Sequence, residues 1–311
     1  MHQECHHNHG EHGGHALGHV HAPASFGRAF AVGIVLNSAF VLTEVAYGVK
    51  GNSLALLADA GHNLGDVLGL VAAWIASVLV TKAPTDRHTY GYKRSPILAA
   101  LLNAMLLIFA TGAIVWEALR RLVTPEPVQA GFLIWVATIG IAINLGTALM
   151  FASGRKGDLN VRGAFVHMLG DAAVAFGVVL AGLAIRTTGL TWIDPIVSIL
   201  VAGIVLWASW KVLQEAFLMA MDAVPAKIDI RQVRAYFEGL PGVESVHDLH
   251  IWSMGTTECA LTVHLVRPEG ATDDFLGEVC HELQHRFKID HPTVQVERGD
   301  GATACMLAPE G

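Results

Sequence analysis

Apolar residues dominate six stretches of this chain, residues 29–49, 54–80, 97–115, 132–152, 164–185 and 195–218. Each is long enough for a helix to cross about 30 Å of hydrocarbon at about 1.5 Å per residue. The pattern predicts six membrane-spanning helices and puts both ends of the chain on one side. Beyond residue 218 the pattern changes. Residues 229–240 carry Val233, Tyr236, Phe237 and Leu240 at helical spacing, with Pro241-Gly242 as a stop. Residues 243–252 and 258–266 alternate as two strands joined through Gly255, residues 272–287 form an amphipathic helix, and residues 293–297 form a last strand. The order αββαβ predicts a ferredoxin-like layer of helices on one sheet face. The chain therefore divides into a tail (residues 1–25), a six-helix transmembrane bundle (26–221), a small α+β domain (222–300) and a short end (301–311).

Composition excludes an ordinary soluble protein. Hydrophobic residues make up 53% of 311 and charged residues 15%, with a mean hydropathy of +0.47, whereas soluble chains carry about 25% charged residues. Orientation follows from Lys and Arg, which stay on the cytoplasmic side during insertion. Arg28, Lys82, Arg87, Lys93, Arg94, Arg155, Lys156 and Arg162 fall on the side of the termini; Lys50, Arg120, Arg121 and Arg186 fall on the other. Eight against four places both termini in the cytoplasm. The formal charge of −7 does not alter this, because the rule counts basic residues alone. Cys5, Cys259, Cys280 and Cys305 form no Cys-x-x-Cys pair and lie in segments assigned to the cytoplasm, so free thiols are expected.

Two interruptions of the apolar pattern carry chemistry. His62-Asn-Leu-Gly-Asp66 lies inside the second stretch and His167-Met-Leu-Gly-Asp171 inside the fifth. A spacing of four puts each His and its Asp on one helix face, so two such helices packed together would converge four ligands on one ion. An ionised Asp in mid-membrane costs about 2.5–3.5 kcal/mol on insertion scales, so such groups face a partner, a cavity or a permeant species. Interhelical hydrogen bonding is the bland alternative; the repetition favours metal. Two imidazoles and two carboxylates suit tetrahedral Zn2+, with Co2+ or Cd2+ possible, while Mn2+ prefers more oxygen ligands. An imidazole must lose its proton before metal binds it, so metal and protons can exchange at one site. Asp59, one turn before His62, is a candidate to orient that ring. Glu44, Asn37, Asn103 and Asn144 are further polar residues in apolar stretches, the three Asn read as packing contacts.

The first residues show neither the basic start nor the apolar core of a secretory signal. They carry His2, His6, His7, His9, His12, His15, His19 and His21 among glycines. Such a segment cannot bury a core and reads as a disordered tail that captures metal weakly; a solvated tail or an expression tag is the alternative.

Taken in order, the run Ser53-Leu-Ala-Leu-Leu-Ala-Asp59-Ala-Gly-His62-Asn-Leu-Gly-Asp66, the second pair His167-x-x-x-Asp171 and His247-Asp-Leu-His-Ile-Trp252 resemble the cation diffusion facilitator family, over residues 26–297. The resemblance is nearest to its zinc-exporting branch with a His-rich terminus. It implies that His62, Asp66, His167 and Asp171 form the transport site of a homodimer that exports Zn2+ from the cytoplasm by proton-coupled alternating access in the plasma membrane. The partners it implies are divalent metal ions, protons, the bilayer and a second copy, with no nucleic acid. It also implies that His247, His264 and Glu297 bind regulatory zinc. Some members have a second His where Tyr92 stands, so a site built on His88 and Asp86 is not expected to be intact. Arg94 and Asp222 resemble a charge pair that locks the dimer in some members, which if exposed would contribute only about 0–1 kcal/mol.

His281-Glu282-Leu-Gln-His285 satisfies the His-Glu-x-x-His pattern of zinc peptidases. Here Leu276, Val279, Leu283 and Phe287 form the buried stripe, which leaves both His displaced from it. Three readings thus stand: a metal exporter, a metal-sensing membrane protein without flux, and, least supported, a peptidase.

Overall fold

A computed structural model describes residues 28–151 and 159–299. The His-rich tail, Cys5, Arg155, Lys156 and Cys305 lie outside the described residues. Six long helices come first: α1 (Arg28–Gly51), α2 (Leu54–Val80), α3 (Ser95–Val123), α4 (Ala130–Phe151), α5 (Leu159–Thr188) and α6 (Ile193–Ala220). Five segments among the described residues, in α2 to α6, are long and apolar enough to cross a membrane. Leu102, Phe109, Trp135, Leu149 and Leu200 on these helices are exposed, as suits an element whose surroundings are hydrocarbon. This is an integral membrane protein with a helical transmembrane domain. A smaller part follows: α7 (Ile230–Glu238), β1 (Ser245–Ser253), β2 (Cys259–Val266), α8 (Asp273–His285) and β3 (His291–Glu297).

The described residues form two compact units, residues 28–70 with 107–151 and 159–208, and residues 71–106 with 209–299. In the first, Phe40, Leu56, Leu133, Val136, Val178 and Ile185 make a continuous core. Small residues let its helices approach. A Cβ on Gly140 would lie 2.7 Å from the Phe40 ring, and one on Gly182 would lie 2.7 Å from Ile134; glycine at such points is how membrane helices pack closely. The turn from α1 to α2 passes through Asn52 at φ 52°. Arg121 donates to the Asn52 backbone carbonyl at 2.7 Å and to its Oδ1 at 2.7 Å, and the Asn52 amide donates to Glu126 at 3.0 Å. These polar residues explain why α3 runs on to Val123, past the apolar limit at residue 115: Glu117 pairs with Arg120 and Arg121, so the helix continues beyond its apolar part.

In the second unit the sheet order is β1-β2-β3, antiparallel between β1 and β2 and parallel between β2 and β3. Val233, Phe237, Leu249, Ile251, Leu261, Val263, Leu265, Val279 and Leu283 form its core. Asp229 caps α7 by accepting from the Arg231 N–H, and Thr272 caps α8 by accepting from the Phe275 N–H. Strand β3 starts two residues earlier than the alternation implied, with Pro292 on an edge strand where its missing N–H is tolerated. Lys93 and Arg94, at the end of the segment between α2 and α3, pair with Glu258 and Asp222, and the Tyr90 ring meets His291 edge-on. Arg94 and Asp222 thus pair within one chain.

Candidate metal centre

Helices α2 and α5 bring His62, Asp66, His167 and Asp171, all in the first unit, together. One ligand atom from each lies within 4.8 Å of all the others. The pairing is crossed between the helices. His62 Nε2 is 3.0 Å from Asp171 Oδ1, and His167 Nε2 is 3.1 Å from Asp66 Oδ2. The pairs along each helix are longer, 3.9 Å for His62 to Asp66 and 3.6 Å for His167 to Asp171. Four ligands at 2.0–2.1 Å on a tetrahedral ion stand about 3.3 Å apart, so these separations bracket what such an ion requires. The two rings meet edge to face, centroids 5.8 Å apart.

Asp171 is buried, His62 and Asp66 are half-buried, and the His167 side chain is 42% exposed, so the cluster opens on one side. Gly65, between His62 and Asp66, lies against the Leu107 side chain where any Cβ would collide, which allows α3 to pack next to the ligands. Asp59 is buried one turn before His62. The ring nitrogen contacts of His62 go to Asp66 and Asp171, while Asp59 acts electrostatically on both His62 and Glu44. Asn144 is buried, and Asn37 and Asn103 are half-buried.

A second group lies in the other unit. His247 on β1 and His264 on β2 are direct cross-strand partners, with ring centroids 5.2 Å apart. Glu297, at the end of β3, reaches both: its Oε1 is 2.9 Å from His264 Nδ1 and 3.5 Å from His247 Nε2. His247 Nε2 is buried without a hydrogen-bond partner, a nitrogen whose surroundings offer a carboxylate and a second imidazole but no hydrogen bond. Such a donor set fits a zinc ion.

Asp248 belongs to this cluster as well, and sequence reasoning missed it. Its Oδ2 is 3.7 Å from His264 Nε2 and its Oδ1 is 2.9 Å from His250 Nε2. Regular alternation would turn Asp248 to the face opposite His247, but the register shifts between His247 and His250, and Asp248 takes a φ of 49°. A bulge re-aims a side chain in this way. The residues His247-Asp-Leu-His250, polar on both parities, were the available signal.

Other candidates stay apart. His88 stacks on Tyr92, and among the described residues neither it nor Asp86 joins a group of three metal-ligating side chains. His281 and His285 are exposed on α8, ring centroids 4.2 Å apart, and Glu282 pairs with Arg286. Among the described residues no third ligand joins them.

Residues 30–220 match the cation efflux transmembrane domain, and residues 225–299 match the cytoplasmic domain of cation efflux proteins. The chain belongs to the cation efflux family, the cation diffusion facilitators. It is 35% identical over 300 residues to the cadmium, cobalt and zinc/H(+)-K(+) antiporter of Bacillus subtilis, covering 93% of this chain and 96% of that one. It is 38% identical over 271 residues to zinc transporter ZitB of Escherichia coli, with 86% of each covered. Against the metal cation efflux system protein CzcD of Cupriavidus metallidurans it is 35% identical over 284 residues, with 90% of each covered. A cation efflux protein is a transporter and not an enzyme, so the His281-Glu282-x-x-His285 peptidase reading is set aside: that pattern is short enough to arise by chance on an exposed helix face.

Proposed function

We propose that this cation efflux protein exports Zn2+, with Cd2+ and Co2+ as related substrates, from the cytoplasm in exchange for protons. His62, Asp66, His167 and Asp171 hold the ion. The observation that carries the reading is the crossed pairing of each imidazole with the carboxylate of the other helix, which makes one ligand set out of two elements that can move relative to each other. The carboxylates neutralise the divalent charge, and each imidazole exchanges a proton for metal. The names of the relatives support the choice of metals. Helix α1 joins α2 to α6 as a sixth span, both termini lie in the cytoplasm and the plasma membrane is the site of action. Asp59 stands behind the ligands. The tail of residues 1–25 captures metal, residues 26–221 transport it, and residues 222–300 form a ferredoxin-like domain, with β3 beside and parallel to β2. That domain senses zinc through His247, His264 and Glu297 and joins two copies into a homodimer, in which Arg94 and Asp222 are the charge pair beside the membrane ends.

Purified protein in liposomes, given a pH gradient and a zinc-sensitive dye, tests the proposal. Zn2+ should move against the proton gradient and Asp66→Ala should abolish movement. Zinc binding without flux in the wild type would replace the exporter with a sensor.

A further inference from the structure

Helix α1 carries one acidic side chain, Glu44, and it is fully buried. The Asn63 amide donates to its Oε2 at 2.9 Å. Its Oε1 is buried and meets no donor. Asp59, itself 3% exposed, lies one turn before Asn63 on the same face of α2, the face that meets Glu44. We propose that Glu44 and Asp59 form a proton-binding carboxyl pair, distinct from the four metal ligands, that holds a proton while the metal centre is empty and releases it when a divalent cation arrives.

Two carboxylates cannot both stay ionised side by side in a buried site; one proton between them removes the repulsion and supplies the hydrogen that Glu44 Oε1 lacks. Among the described residues no Lys or Arg pairs with either group, and the basic group that acts on Asp59 is His62, one turn later on α2. The groups facing Glu44 are Asp59 and Asn63 from α2 and Asp171 from α5; α4, which packs on α1 through Phe40 and Gly140, has no titratable residue. Asp171 acts electrostatically on both members of the pair, so a dication bound to Asp171 opposes the proton they share. On metal arrival the carboxyl O–H bond breaks, its electron pair stays on oxygen and the proton passes to water; on metal departure the bond re-forms. The pair would thereby carry a counter-ion that leaves the His62 and His167 protons uncommitted, an inference that rests on the exchange reading for its physiological use but not for its chemistry.

Infrared difference spectra of the full-length protein in lipid at neutral pH, with and without Zn2+, test this. The wild type should show the carbonyl band of a protonated carboxylic acid that disappears when Zn2+ binds. Glu44→Gln should lack the band, still bind Zn2+, and release about one proton fewer per ion than the wild type. Asp66→Ala should keep the band and lose its response to Zn2+. A wild type with no acid band, a band that Zn2+ leaves unchanged, or equal proton release from Glu44→Gln and the wild type overturns the pair. A zinc-sensitive band in protein that shows no flux in liposomes upholds the pair and overturns the exporter.

Discussion

Asp194, the second residue of α6, caps helix α2 from outside by accepting a hydrogen bond from the Ser53 hydroxyl at 2.5 Å. The same carboxylate accepts from the Leu54 N–H at 2.8 Å and the Ala55 N–H at 3.3 Å. These are N–H groups that a helix start leaves without internal partners, here fully buried, and they begin the helix that carries His62 and Asp66. Asp194→Ala should therefore destabilise the protein by about 1–3 kcal/mol, the cost of leaving a buried donor without a partner. Asp194→Asn, which keeps one acceptor oxygen, should lose less. Thermal unfolding in detergent measures both, and an Ala variant as stable as the wild type would show that α2 needs no cap from α6.

Gly140 tests the packing of α1 against α4. A Cβ there lies 2.7 Å from a Phe40 ring that is only 6% exposed, so the ring has little space into which to withdraw. Gly140→Ala should cost about 1–3 kcal/mol, as overpacking does. Combining it with Phe40→Leu should recover part of the loss. Additive losses in the double variant would mean that the two residues do not meet.

Apolar run length made the helices legible, because a membrane demands continuous apolar surface. It misjudged where α3 stops, since Glu117, Arg120 and Arg121 end the apolar run while pairing with one another along a continuing helix. His62, Asp66, His167 and Asp171 were legible because a spacing of four is a statement about one helix face. The crossing of the pairs was not, since which imidazole meets which carboxylate depends on how two helices pack. Asp194 gave no signal for a different reason: it acts on residues about 140 positions away, and a lone acid at the start of an apolar helix suits its own helix dipole equally well.

Asp248 should act on the zinc affinity of the small domain. It is the residue that the bulge turns toward His264, where it can orient that ring as carboxylates do around zinc-bound imidazoles. Loss of such a partner weakens metal binding by about 10- to 100-fold. Zinc titration of full-length Asp248→Ala by calorimetry, in an Asp66→Ala background that silences the other centre, should show a drop in that range. Unchanged affinity would leave His247, His264 and Glu297 as the whole set.

Burial pushes the Cys259 thiol up from its ordinary value, and burial does the same for Cys280. A thiol that holds its proton more tightly when folded contributes fully below the unfolded thiol value of about 8.5 and loses that contribution as pH rises through the folded one. Unfolding midpoints in urea should then fall between neutral and strongly alkaline pH, and less so in Cys259→Ala than in the wild type. At neutral pH the buried neutral thiol should react slowly with maleimide until the domain unfolds. Rapid labelling of Cys259 in the folded protein would contradict its burial.

Metal choice should turn on the imidazoles. With two nitrogens and two oxygens about 3–4 Å apart, the centre suits an ion content with four ligands. Exchanging His167 for Asp leaves one nitrogen and three carboxylates, a harder, more anionic set that favours metals preferring oxygen and higher coordination number. His167 is also the most exposed of the four, so water can complete a larger coordination shell at that position without disturbing the buried Asp171. His167→Asp should raise Mn2+ flux relative to Zn2+ flux in liposomes, and it should do so most clearly at low pH, where a proton competes with metal for the His167 of the wild type but less for the new carboxylate. An unchanged preference for Zn2+ over Mn2+ would place selectivity outside these four residues, in the approach to the site.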